Sequence, residues 1–229
     1  MSCSGLSFLW ESYGCHMLTD LARKNDNALT QNVKVIAKLF TETHVRENFL
    51  SSIVKIIRDW TDCQCVGIRV VNTEGLIPYE AYVGFSYKFW THENCLSIKK
   101  DQCACIRVIT GTPDPLDMSI LTDSGSIWTN DLQGFGSTIP EEYYNRYRGK
   151  CIESGFASLA VVPIRYNSKI IGLIHLADSR KDMLPKEYIL ILESVAPDIG
   201  EVVLRFSAEE DLNQKKEDPY GLIDEGSGD

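Results

Sequence analysis

No stretch of this chain approaches the roughly 20 consecutive apolar residues that a bilayer-spanning helix needs. Its first residues, Met1-Ser2-Cys3-Ser4-Gly5, have neither the basic flank nor the apolar run of a secretory leader. There is no basic stripe of the kind that neutralises nucleic-acid phosphates, and no helix-turn-helix pattern. A glycine-rich phosphate loop ending in Gly-Lys-Ser/Thr is missing. So are a nucleophile elbow, a Ser/His/Asp arrangement and a carboxylate pair spaced for acid–base chemistry. No internal repeat appears. These gaps argue against membrane and nucleic-acid partners and against a hydrolase, and the chain reads as cytoplasmic.

What is present is an ordinary globular composition: 229 residues, 44% apolar and 24% charged, enough to bury the core of one large or two small domains. The net charge of −9 is unevenly spread. Residues 208–229 hold eight acidic residues and two lysines, with Pro219, Gly221, Gly226 and Gly228 among few apolar ones. That composition predicts a disordered acidic tail or linker.

The first 28 residues show no clear pattern. Apolar residues at Leu29, Val33, Ile36, Ala37 and Phe40 have helical spacing, as do Phe49, Leu50, Ile53, Val54, Ile56 and Ile57 within a helix over 46–60. Cys65–Val71 and Tyr79–Val83 read as strands around the turn Asn72-Thr73-Glu74-Gly75. The stretch from Gly84 to Gly155 is less regular. It predicts a helical turn over 86–90, a short strand over 94–98, a short helix or loop over 103–109 and a strand over 126–130. A helix from Pro140 to about Glu153 follows from proline at its start with Glu141 and Glu142 behind it. Ala157–Tyr166 and Lys169–Ala177 form a hairpin across Asn167-Ser168. Pro185 opens a last helix with Ile189, Leu192, Val195, Ala196, Ile199, Val202, Val203 and Phe206 on its apolar face. The order predicts an α/β (α+β) fold, an antiparallel sheet with helices packed on one side and helices at both ends.

Eight cysteines in a reducing compartment should be thiols or metal ligands. Cys95, Cys103, Cys105 and Cys151 lie in polar, loop-rich sequence, unlike packed thiols, which sit among Val, Ile and Leu. If the four converge, they make a metal or redox site: zinc, an iron–sulfur cluster, or a dithiol switch, with haem held through a cysteine ranked below them. Cys103 and Cys105 can point to one ion only from a loop or tight turn. Arg146, Arg148 and Lys150 beside Cys151 should favour its thiolate. Cys63-Gln64-Cys65 enters an apolar strand and reads as packed. Cys3 and Cys15, near the start, carry little information.

The segments Cys65–Arg69, Tyr79–Ser86, Gly155–Ile164 and Ile171–Asp178 together resemble the GAF domain, a ligand-sensing α/β module. Within that family, Cys103-Ala104-Cys105, Gly125-Ser126-Ile127-Trp128-Thr129-Asn130 and Cys151 before Gly155-Phe156-Ala157-Ser158 are similar to GAF modules found with PAS domains in bacterial and archaeal sensor histidine kinases. The likeness spans about residues 30–206, so residues 29–207 form the expected domain. No phosphoacceptor-histidine helix or ATP-binding domain fits in the chain.

The resemblance implies a ligand enclosed between the sheet and the variable insert. Tyr82, Phe85, Phe89, Trp90 and Trp128 are the aromatic candidates, with Asn130, Ser158 and His175 nearby; a histidine on a sheet strand is more often a hydrogen-bonded core residue than a ligand. It also implies a homodimer through the terminal helices, to which Val195, Val202 and Phe206 would contribute, and a sensor kinase or output domain downstream. The leading reading is therefore a sensory module that binds a small ligand or a cysteine-held centre and is not itself an enzyme. Two rivals stand beside it: a GAF-fold reductase of free methionine sulfoxide using the insert cysteines, and a ligandless dimerisation module.

Overall fold

The computed structural model describes residues 45–217. The helix expected over 29–40, the irregular head before it and the end of the acidic tail lie outside them. Helix α1 (Arg46–Thr61) buries Phe49, Leu50, Ile53, Val54 and Ile57, a stripe recurring every three to four residues. It ends at Asp62, whose φ of 54° takes the chain out of the helix. Arg46 at its start makes a two-pronged bond to Glu80 (2.8 and 2.6 Å) and donates to Ser207 Oγ (2.7 Å), tying the first helix to a strand and to the last helix.

Strands β1 (Cys65–Val70), β3 (Tyr79–Val83), β5 (Ile127–Thr129), β6 (Ser158–Tyr166) and β7 (Lys169–Asp178) form one antiparallel sheet in the order β3-β1-β7-β6-β5. β2 (Leu76–Ile77) and β4 (Leu96–Ser97) pair apart from it. The β6–β7 turn places Asn167 and Ser168 at φ of 46° and 67°, the doubly left-handed turn that matches strand twist in a two-residue hairpin.

Strand parity divides the core. Val66, Ile68, Ala160, Val162, Ile174 and Leu176 face α1 and the long final helix α6 (Lys186–Glu217). Every apolar position expected on α6 is buried, from Ile189 to Phe206. Gly200 lets the helix lie close, since a Cβ there would stand 2.7 Å from the Arg165 carbonyl oxygen. No helix among the described residues is long and apolar enough to cross a membrane.

Cys65, Gly67, Arg69, Leu159, Val161, Leu173, His175 and Ala177 face the other way, under the insert. The insert is built from α2 (Tyr87–Glu93), β4, α3 (Ala104–Thr110), a 3-10 turn (Pro115–Ser119), β5, α4 (Leu132–Thr138), a second 3-10 turn (Glu141–Arg146) and α5 (Lys150–Glu153). Both sheet faces are thus covered: terminal helices on one, the insert on the other.

Three expectations are corrected. The helix over 140–153 is two short pieces, because Arg148 (φ 49°) and Gly149 (φ 70°) turn the chain between them. Helix α4 went unanticipated, although Asp131 caps it by accepting from Gly134 N (3.0 Å). The acidic tail read as disordered from residue 208 begins instead as helix, with α6 running to Glu217. Ala208, Glu209, Glu210 and Leu212 all favour helix, and net charge does not forbid one.

Candidate functional site

A cavity of about 50 Å³ lies between the insert and the sheet. Ile127, Leu159 and Val161 form its apolar floor, Leu132 and Phe135 of α4 one wall, and Cys103, Cys105 and Cys151 another. His175, Glu93, Arg107, Tyr147, Arg148 and Lys150 supply the polar lining.

Three strand residues organise the floor. A Cβ at Gly67 would lie 2.6 Å from Tyr79 Cε1, so glycine lets the Tyr79 ring lie flat across β1. The ring thereby reaches the next strand, where the Tyr79 hydroxyl stands 2.7 Å from His175 Nδ1. The Arg69 guanidinium stacks on the same ring, 3.7 Å from its centroid. Its Nη1 donates to the Ile77 carbonyl (2.9 Å). Its Nε and Nη2, and His175 Nε2, are buried with no hydrogen-bond partner among the described residues.

Burial, seconded by the Arg69 charge, pushes the His175 pKa down to about 3, so the ring is neutral at physiological pH. Burial likewise holds the Tyr79 phenol well above its usual range, against the pull of Arg69. In the tautomer whose Nδ1 accepts from the phenol, the single imidazole proton stands on Nε2.

The rim of the site is fastened by arginines. Arg107 grips the fully buried Asp117 with Nε and Nη2 (2.5 and 2.8 Å), donates to the Arg146 carbonyl (2.9 Å) and packs on the Tyr147 ring. Arg148 bonds the buried Glu93 (2.9 Å), Asp101 (3.3 Å) and the His92 carbonyl (2.8 Å). The segment carrying Cys151 is held to α2 and α3 in this way.

The four cysteines do not meet. Cys103 and Cys105 are buried and Cys151 half-buried at the cavity, but Cys95 is exposed, with Asn94 Nδ2 3.8 Å from its sulfur. Among the described residues no group of three or more His, Cys, Asp or Glu is placed to hold a metal ion. The physical reason is local. Cys103 caps α3 and Cys105 is that helix's second residue, so both turn toward the sheet, while Cys95 follows α2 on the outside. Interaction between the Cys103 and Cys105 side chains draws the Cys103 pKa down and, with burial, drives Cys105 well up. Cys151 is raised, by burial first and then by Glu93 and Cys103, contrary to the thiolate expected beside its basic neighbours. Those cations are engaged elsewhere: Arg146 with Asp114, Arg148 with Glu93, Lys150 with Glu153.

Of the expected pocket residues, only His175 lines the cavity. Phe85 is buried below it, its ring centroid 5.1 Å from that of His175. Tyr82 is 42% exposed and stacks on the half-buried Trp90, both outside the cavity lining. Trp128 pairs with Ala160 and Ser158 with Asp178, which places both on the α6 side of the sheet. Trp128 Nε1 and Asn130 Nδ2 donate to the Leu184 carbonyl (2.8 and 2.9 Å), and Ser158 Oγ donates to the Arg180 carbonyl (2.8 Å). These three fasten the β7–α6 connection. Arg69, Tyr79, Glu93 and Arg148 were missed. One signal was available: an arginine inside the apolar run Cys65–Val71, at the parity of Gly67 and Cys65.

This arrangement of sheet, insert and terminal helices is the GAF fold. No family model and no curated protein matches the chain. Among solved structures, the GAF domain of an Acinetobacter phosphoenolpyruvate-protein phosphotransferase superposes with a TM-score of 0.59 at 11% identity, over 80% of this chain and 98% of that one. A free methionine-R-sulfoxide reductase from Neisseria meningitidis, in complex with its substrate, gives 0.56 at 14% identity, over 80% and 89%. A domain from a Sinorhizobium meliloti protein assigned as a two-component sensor histidine kinase gives 0.52 at 14%, over 75% and 99%. Identities this low establish the fold alone.

Proposed function

We propose that this chain is a sensory GAF module whose buried cavity takes a small ligand and whose α6 helix carries the response. One observation supports this reading above the others. Strands β6 and β7 present Leu159, Val161 and His175 to the cavity and, on alternate residues, Ala160, Val162, Ile174 and Leu176 to the helical layer. A close-packed sheet two strands wide is the shared wall, so an occupant that shifts one face repacks the other. The GAF domain of a phosphoenolpyruvate-protein phosphotransferase and a domain of a sensor-histidine-kinase-type protein among the structural neighbours fit the same reading. The response would pass to a second copy of the chain or to a kinase or output domain. Val195, Val202 and Phe206 are buried in the domain's own core, so a dimer through α6 would draw on its exposed Leu190 and Leu212 instead.

The test is a thermal-shift screen of small metabolites against wild type and Val161→Phe, which fills the cavity. A ligand of this site stabilises wild type, leaves the filled variant unmoved and alters amide hydrogen exchange along α6. Failure of every compound at millimolar concentration rejects the sensory reading.

The reductase remains the second reading because the thiols Cys103 and Cys105 both stand in the cavity wall. Its chemistry would join thiolate attack on a sulfoxide sulfur to disulfide formation, releasing thioether and water, with an external dithiol restoring both thiols. Turnover of free methionine-R-sulfoxide that disappears in Cys103→Ala and Cys105→Ala supports it; no turnover in wild type removes it.

A further inference from the structure

Charge pairing around the cavity leaves one group over. Each buried carboxylate of the domain has an arginine: Glu93 has Arg148, Asp117 has Arg107 and Asp178 has Arg180. Among the described residues Arg69, fully buried, pairs with no carboxylate; it lies on the Tyr79 ring face and donates to the Ile77 carbonyl. A buried cation without a counter-charge is costly to hold. Beside it His175 offers Nε2, buried, unpartnered and in the cavity wall. Arg69 Nε and Nη2 are donors that stand behind the cavity wall, and His175 Nε2, in the wall itself, is a donor in the tautomer whose Nδ1 accepts from Tyr79. A complementary occupant is therefore an acceptor carrying negative charge.

Size narrows the class. A water position needs roughly 10–15 Å³ of such space, and the cavity has about 50 Å³, room for about four heavy atoms. Its floor is apolar on the side of Ile127 and Val161, which suits a methyl-sized group.

We infer that the cavity binds a small oxyanion, a short carboxylate or a planar inorganic anion such as nitrate, with His175 Nε2 donating to it and Arg69 supplying the charge from the layer behind. This rests on the cavity being the ligand site proposed above. Arg69 is not structural glue in this scheme. It is a charge left unpaired until the ligand arrives, which makes the empty site costly and the filled one selective.

The experiment titrates full-length protein with acetate, formate, nitrate and the neutral isostere acetamide at fixed ionic strength, followed by thermal shift and calorimetry. Wild type should show saturable stabilisation by an anion and none by acetamide; whether acetate or nitrate acts identifies the source. Arg69→Met should lose at least about tenfold in affinity and, without anion, be no less stable than wild type, since it removes an unpaired buried charge. His175→Phe weakens binding while keeping an aromatic in place, and decides the matter if Arg69→Met does not fold. Equal stabilisation by acetamide, no response to any anion, or an unchanged response in the variants that fold overturns the inference. A neutral compound that binds where anions fail leaves the sensory reading intact; a bound anion with no change along α6 removes that reading and leaves the anion site.

Discussion

Replacing Gly67 with alanine adds a single methyl where the structure has no room for it. The new carbon would stand 2.6 and 2.7 Å from Tyr79 Cε1 and Cδ1 and 3.2 Å from Phe85 Cε2. A flexible tip could swing away, but Tyr79 is held on both sides: Arg69 lies 3.7 Å from the ring centroid and His175 Nδ1 2.7 Å from the hydroxyl. The ring must move by about half an ångström or more, or the strand must. Overpacking of this kind costs about 1–3 kcal/mol. In a domain of this size that lowers Tm by roughly 2–12 °C. The diagnostic measurement is a double-mutant cycle in urea. In a Tyr79→Leu background the obstructing ring is gone, so Gly67→Ala should cost less than about 0.5 kcal/mol. An equal cost in both backgrounds would mean that the methyl is resisted by something other than the Tyr79 ring, and the account of how β1 and β3 build the cavity floor would be wrong.

Three other outcomes follow from the same geometry. Trp128→Phe removes one bond to Leu184 and Asn130→Ala two, at about 0.5–1.5 kcal/mol per bond in urea denaturation, while leaving affinity for any cavity ligand unchanged, because both bond the β7–α6 connection on the α6 side of the sheet. His175 has its pKa lowered from 6.5 to about 3 in the folded protein, chiefly by burial. Between those pH values the unfolded chain binds the extra proton, so its contribution is complete above about pH 6.5 and is lost as pH falls toward 3, by up to roughly 1.4 kcal/mol per unit; His175→Gln should flatten that limb of the stability–pH curve. Native-state alkylation resolved by peptide mass spectrometry should modify Cys95 well before Cys63, Cys65, Cys103 or Cys105, since Cys95 is exposed and the others buried. Equal rates would place the insert cysteines in solvent.

The legible parts of the molecule were those whose burial is one-sided and periodic. Phe49 to Ile57 on α1 and Ile189 to Phe206 on α6 repeat at the helical period, and their burial follows. The hairpin across Asn167-Ser168 is marked by residues that tolerate left-handed backbone. The insert was harder, because its short elements depend on single features, such as the Asp131 cap of α4 or the reversal at Arg148-Gly149.

Candidate site residues divided along a different line. Trp128, Asn130 and Ser158 are near the expected ligand in sequence and in fold, yet strand parity sends them to the other face. A one-residue difference in register reverses that outcome, and nothing local to a three-residue strand such as β5 specifies it. The four cysteines expected to share one site, Cys95, Cys103, Cys105 and Cys151, also divide. Three reach one cavity, whereas Cys95 is turned outward at the end of α2.

Composition and periodicity alone therefore determined the class of fold, the two terminal helices and the paired strands, since each is an average over many residues burying one face. Only the tertiary structure decided the site. Whether Arg69 meets a carboxylate or stands alone over Tyr79, and whether His175 Nε2 finds a partner, depends on contacts between residues tens of positions apart. Those contacts exist only once the sheet has closed under the insert, and no local preference of the chain encodes them.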